Sequence, residues 1–90
     1  MTLSRPQDIY SGMGDMARAV AALADEVALL RATCETWDVT ELRVDSGSPW
    51  STDETVAAAL GDLAGAEESL RSARGRIEGA WAAVGRLSAD

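Results

Sequence analysis

Residues 9–37, IYSGMGDMARAVAALADEVALLRATCETW, decide the fold of this 90-residue chain. Apolar side chains recur there at alternating steps of four and three residues, which is the 3.5-residue period of a helix with one narrow apolar stripe. Such a stripe is typical of a helix that packs lengthwise against another helix. We call it the first seam, and its members are Ile9, Met13, Met16, Val20, Leu23, Val27, Leu30, Cys34 and Trp37.

The C-terminal half carries a second seam of the same period. Large apolar residues recur every seven positions, and another apolar residue, usually alanine, follows each of them three positions later. Leu60 and Trp81 widen this stripe on one flank. The large members are Val56, Leu63, Leu70, Ile77 and Val84, and the members that follow them are Ala59, Ala66, Ala73, Ala80 and Leu87.

Local signals near the N-terminus predict the start of the first helix. Ser4 and Gln7 have the spacing of a capping box, and Pro6 is tolerated in the first turn of a helix. We therefore predict helix 1 over about residues 5–37. Because glycine weakens a helix, a later start near Gly14 stays open.

Residues 38–50 predict a connection between two helices. They contain the turn-forming run DSGSP, and their β-branched part, residues 39–44, leaves a short strand open. Ser51 and Glu54 then form a second capping box, with Trp50 just ahead of it. We predict helix 2 over about residues 52–87.

Two long helices and a turn-rich connection predict an all-α fold, with residues 1–90 forming a single domain that is an antiparallel two-helix hairpin. A chain of this size has a limited hydrophobic core. We therefore expect the hairpin to associate into a four-helix bundle, as a homodimer or as a heterodimer with a related hairpin.

Four glycines lie on the side of helix 2 opposite its seam. Each costs about 1 kcal/mol of helix stability relative to alanine. Either a GC-rich coding bias tolerates them on a solvated surface, or their smooth side admits another helix at short range. This possible close-packing face consists of Gly61, Gly65, Gly75 and Gly79.

Charge is concentrated in the middle of the chain. The net charge is −7, and residues 25–68 hold eleven acids and only two arginines. Because acidic surfaces repel phosphate, we expect no nucleic acid as partner, although an acidic inhibitor that mimics nucleic acid remains an alternative.

Trp37 and Trp50 flank the connection, where they either cap the end of the bundle or form an aromatic anchor for a basic partner. At the other end, Arg71, Arg74, Arg76 and Arg86 are expected beside Asp8 and Asp15.

The sequence lacks the usual signs of catalysis. It contains no histidine, and it matches no nucleophile, phosphate-binding or calcium-binding motif. We therefore expect no enzyme activity, no metal site and no cofactor, with Cys34 serving as a small core residue.

No apolar stretch is long enough to span a membrane, and no secretory signal is present. The location stays open between the cytoplasm and export without a cleaved signal peptide.

The chain resembles the Trp-Xaa-Gly helical hairpins of type VII secretion in actinobacteria and related bacteria. The resemblance lies in its length, its two long amphipathic helices, a tryptophan near the turn and a GC-rich composition. The chain departs from the family at Trp37 and Trp50, neither of which begins a Trp-Xaa-Gly motif, and it has no C-terminal Tyr-xxx-Asp/Glu signal. The resemblance implies a non-catalytic protein–protein interaction module that is a partner, substrate or adaptor of such a system. A structural subunit of a filament or virion is the alternative.

Overall fold

The computed structural model of this protein describes residues 5–87 and contains two long helices. Helix α1 spans Pro6–Glu35, and helix α2 spans Thr52–Gly85. Between them lies one turn of 3₁₀ helix, Val39–Glu41, in place of the strand that residues 39–44 left open. No strand forms in the described range, so the prediction of an all-α helical hairpin is confirmed.

Helix α1 begins at Pro6, which rules out the later start near Gly14. Ser4 lies outside the described residues, so the predicted capping box of Ser4 and Gln7 stays a prediction. Within the described residues Arg5 is the N-cap, and Asp8 is the acidic residue of the first turn. The backbone N–H of Arg5 donates to Oδ2 of Asp8 at 3.3 Å, and the Arg5 guanidinium pairs with the same carboxylate at 3.0 Å. A carboxylate at this end is favoured by the helix dipole.

The second capping box is confirmed at the start of α2. The Glu54 backbone N–H donates to Oγ of Ser51 at 3.1 Å, and the Ser51 backbone N–H donates to the Glu54 carboxylate at 3.1 Å. The backbone N–H of Ser51 and, to a smaller extent, its side chain hydrogen-bond the Glu54 carboxylate and lower the pKa of Glu54. The chain reverses before this cap at Gly47, whose φ of +88° is a conformation that glycine adopts without steric cost.

The helices run antiparallel, and contacts near both ends set their register. At the open end of the hairpin, the rings of Tyr10 and Trp81 have centroids 5.5 Å apart and are inclined at 52°. Towards the connection, the guanidinium of Arg31 lies 3.0 Å from the carboxylate of Glu67. The resulting molecule is long and thin, with principal extents of 64 × 23 × 17 Å.

Small residues of α1 let the two helices approach closely. The buried residues of α1 are Gly14, Ala17 and Ala24, and the last two are only 4% and 2% exposed. A Cβ atom on Gly14 would lie 2.7 Å from Cζ2 of Trp81. Gly14 was expected only to weaken the helix, but it also makes room for this indole ring.

Candidate protein-interaction face

The large residues of the first seam do not occupy the centre of the hairpin interface. Met16, Leu23, Leu30 and Trp37 are 47–57% exposed. The other five members are partly buried: Ile9, Met13, Val20, Val27 and Cys34. The predicted hairpin implied that this seam packs directly against the second seam. This prediction is wrong for the exposed half of the first seam.

A rotation of about one residue separates the exposed stripe from the hairpin interface. Met16 directly precedes Ala17, and Leu23 directly precedes Ala24. Consecutive residues of an α-helix are about 100° apart. Because Ala17 and Ala24 point at α2, the residues just before them point roughly at right angles to the line that joins the two helices.

The second seam shows the same displacement. Leu60 and Trp81, which were expected on a flank, are partly buried between the helices, whereas Ala66 and Ala80 are exposed and Leu87 is 62% exposed. The partly buried members of this seam are Val56, Ala59, Leu63, Leu70, Ala73, Ile77 and Val84. On α2 also, three of the alanines directly precede a partly buried side chain: Ala59 precedes Leu60, Ala66 precedes Glu67, and Ala80 precedes Trp81. Ala73 is the exception, since it precedes the exposed Arg74.

Both displacements turn towards the same side of the hairpin. Moving back by one residue along an α-helix turns the side-chain direction by about 100°. Because the two helices run in opposite directions, this turn is clockwise on one and anticlockwise on the other when both are viewed from the same end. The helices also face each other across their interface. The two backward steps therefore end on one common face. We call this the apolar face, and from one edge to the other it presents four rows: Ile9, Met16, Leu23, Leu30 and Trp37; Met13, Val20, Val27 and Cys34; Val56, Leu63, Leu70, Ile77 and Val84; Ala59, Ala66, Ala73, Ala80 and Leu87.

The opposite side of the hairpin is polar. Its positions follow the innermost residues by one step and include Arg18 and Asp25 on α1 and Glu68 on α2, all of them exposed. Each of the four helix 2 glycines, Gly61, Gly65, Gly75 and Gly79, also faces open space, since an added Cβ would meet no atom within 4 Å. Large apolar residues are thus concentrated on one of the two broad sides.

An ion pair crosses the hairpin interface at a level where the sequence had predicted no specific contact. Nε of Arg31 donates to Oε2 of Glu67 at 3.0 Å, and Arg31 also bonds Glu35, while Arg71 bonds the other oxygen of Glu67 at 3.0 Å. The Glu67 side chain is only 15% exposed. Hydrogen bonds from Arg71 and then from Arg31 lower the pKa of Glu67, and its carboxylate in turn raises the pKa of Arg31. The sequence carried no signal for this pair, since neither Arg31 nor Glu67 is a member of a seam.

The ion pairs near the open end join residues that are close in sequence. Asp8 pairs with Arg5, Asp15 with Arg18, and Arg74 with Glu78, all at spacings of three or four residues. The expected cross-helix pairs with Asp8 and Asp15 are therefore corrected. Such exposed pairs contribute little to stability.

The connection leaves both of its tryptophans half exposed, with Trp37 at 48% and Trp50 at 57%. Trp50 helps to line an open concavity of about 470 Å³ with Arg43, Asp45 and Thr55. Asp38 accepts hydrogen bonds from the hydroxyl and the backbone N–H of Thr40, which lower its pKa. Trp37 lies at the end of the exposed stripe, so it extends the apolar face to the connection.

Two further properties bear on chemistry. In the described part of the chain, no three His, Cys, Asp or Glu side chains are grouped so that they could hold a metal ion. Neither of the helices between residues 5 and 87 combines the length and apolarity needed to cross a membrane.

Comparisons of this chain with protein-family models, curated proteins and solved structures found no match. Among the features described above, the apolar face points most directly to a function.

Proposed function

We propose that this chain is a non-catalytic helical protein–protein interaction module whose apolar face packs against another helical hairpin and completes a four-helix bundle. One observation carries the proposal. The buried apolar side chains of the described hairpin are two alanines, while Met16, Leu23 and Leu30 remain about half exposed at heptad spacing. Heptad spacing of large apolar residues is typical of a helix that has a helical partner.

The size of the apolar face fits such a partner. A 30-residue helix is about 45 Å long, and two helices packed about 10 Å apart present a face about 20 Å wide. The footprint is therefore about 900 Å². Stable protein–protein interfaces bury about 800 Å² on each partner, so one helical hairpin laid along this face would make an interface of ordinary size.

Solvent exposure of this face is unfavourable in the isolated hairpin. Apolar patches of more than a few hundred Å² are uncommon on monomeric proteins and usually mark interaction sites. Burial contributes about 25 cal/mol for each Å² of apolar surface removed from water. Leu30 at 57% exposed and Leu23 at 47% exposed are the central residues from which a partner would remove water.

We extend the proposal to a role as a partner, substrate or adaptor associated with type VII secretion. Its support is the resemblance in length, helical layout and a tryptophan near the turn. The missing Trp-Xaa-Gly motif at Trp37 and Trp50 favours a partner or adaptor over a typical substrate of that system.

Photo-crosslinking in host cells tests the interaction module. A photoreactive phenylalanine derivative replaces either Leu23, on the apolar face, or Leu29, which is 68% exposed but lies outside the face. We expect a crosslinked product of defined mass from position 23 and not from position 29. We also expect Leu30→Glu to abolish this product.

A second copy of the chain counts as a partner in this experiment. Equal crosslinking from both positions, or none from position 23, would contradict the proposed function.

A further inference from the structure

The two halves of the apolar face differ in side-chain size. The α1 edge carries large residues, among them Met16, Leu23 and Leu30, whereas the α2 edge carries four alanines and ends at Leu87. A partner that fits both halves needs small residues opposite the α1 edge and large residues opposite the α2 edge. The chain itself carries this combination.

The axial positions of the two edges match. Gly14 lies beside Trp81, and Tyr10 lies beside Gly85. Because both helices advance 1.5 Å per residue, one step forward on α1 corresponds to one step back on α2. Counting from these contacts, three large residues of the α1 edge lie within about one residue of the level of a small one: Met16 with Ala80, Leu23 with Ala73, and Leu30 with Ala66. At the open end, Ile9 lies near the level of Leu87, so the pairing of large with small holds over the middle of the face.

We propose that the apolar face is covered by a second copy of this chain, related to the first by a twofold axis parallel to the helices. Rotation about that axis lays α1 of each copy over α2 of the other and shifts nothing along the axis. The levels found within one hairpin therefore become the levels across the dimer. Leu23 of one copy faces Ala73 of the second copy, and Ala73 of the first faces Leu23 of the second. A twofold interface requires this self-complementarity.

The other twofold arrangement of two aligned hairpins fits less well. An axis perpendicular to the helices would place α1 over α1 and α2 over α2, so large residues would meet large ones and alanines would meet alanines. Helices separated by large side chains lie about 10 Å apart, while those separated by small ones approach to about 8 Å. The two layers would then have to tilt, which the matched arrangement avoids.

Electrostatics gives the proposed dimer a distinctive salt dependence. The axis parallel to the helices brings the two acidic connections to the same end, where Asp38, Glu41 and Asp45 of both copies are exposed. Their repulsion is weak and is screened by salt. We therefore expect dimerisation to strengthen as salt is added. The perpendicular axis would bring each acidic connection beside the arginine-bearing open end and would give the opposite trend.

The test uses the purified full-length chain and rests on the proposed function only in its choice of face. Cys34→Ala combined with Ser46→Cys allows one spin label in the exposed turn of each copy. We expect a dimer by light scattering, with the labels about 20–35 Å apart, because both connections lie at one end of a bundle built from hairpins 23 Å wide. Opposite ends would separate the labels by close to the 64 Å length of the hairpin.

Two variants of neighbouring residues serve as the matched pair. Leu30→Glu places a charge on the apolar face and should weaken dimerisation about tenfold or more, whereas Leu29→Glu lies outside the face and should leave it unchanged. A monomer at about 100 μM, labels at opposite ends, or dissociation promoted by salt would each overturn the proposal. A monomer that still gives a crosslinked product from position 23 in cells would leave the proposed function intact and assign the face to a different protein.

Discussion

The contact between Gly14 and Trp81 leads to a prediction that two glycines of one helix respond oppositely to the same substitution. Gly12 and Gly14 are separated by one residue in α1. An added Cβ at Gly12 meets nothing within 4 Å, while at Gly14 it would lie 2.7, 3.1 and 3.2 Å from three ring atoms of Trp81. Any difference between the two alanine variants therefore reports on tertiary packing.

The magnitudes follow from helix propensity and overpacking. Replacing glycine by alanine inside a helix gains about 0.5–1 kcal/mol, which is the whole effect expected for Gly12→Ala. Gly14→Ala has the same gain, but ordinary carbon contacts are about 3.5–4.0 Å, so the Trp81 ring must move by almost 1 Å. Overpacking of this kind costs about 1–3 kcal/mol. Because Tyr10 packs against the same ring, Trp81 has little freedom to yield. We expect a net destabilisation of up to about 2 kcal/mol.

Urea unfolding measures this difference. Circular dichroism at the helical band should be followed at one fixed protein concentration, since association adds to the stability of the folded state. The two variants should differ by about 1–3 kcal/mol, with Gly12→Ala above and Gly14→Ala below the unmodified protein. If Gly14→Ala is stabilised as much as Gly12→Ala, then Trp81 does not pack against α1 at this position and the register between the two helices is wrong.

Three further predictions concern stability. Arg71 and Arg31 hold the pKa of Glu67 below its ordinary value of 4.5, so the carboxylate stabilises the fold fully above that pH and loses this effect as the pH falls through the lowered pKa. The urea midpoint should therefore fall more between about pH 6 and pH 3 for the unmodified protein than for Glu67→Gln. Parallel pH profiles of the two proteins would contradict this. Gly65→Ala and Gly75→Ala should each stabilise α2 by about 1 kcal/mol because open space surrounds both positions; a loss of stability on thermal unfolding would show instead that another chain packs there. Ser51→Ala removes the N-cap hydrogen bond of α2 and should cost about 1 kcal/mol by urea unfolding, whereas an unchanged midpoint would show that the cap is dispensable.

Helical structure, the approximate helix ends and the hairpin topology were predictable from the sequence because they depend on local and periodic signals. The capping box at Ser51 and the turn residues around Gly47 act over a few residues, and the structure places both as expected. The observed helix starts and ends differ from the predicted ones by a turn or less, because the last residues of a helix gain few hydrogen bonds. The ion pair between Arg31 and Glu67 was missed because it depends on the register between two helices.

The sequence by itself determined that this protein is a two-helix chain with two apolar seams. Only the tertiary structure decided which stripe of α1 faces α2, because Met16 and Leu23 and their neighbours Ala17 and Ala24 all lie on apolar stripes of the same period. The hairpin closes on the small residues, since close approach is possible where side chains are small and lets the bulky Trp81 enter the space beside Gly14. The large residues are consequently left together on one outer face.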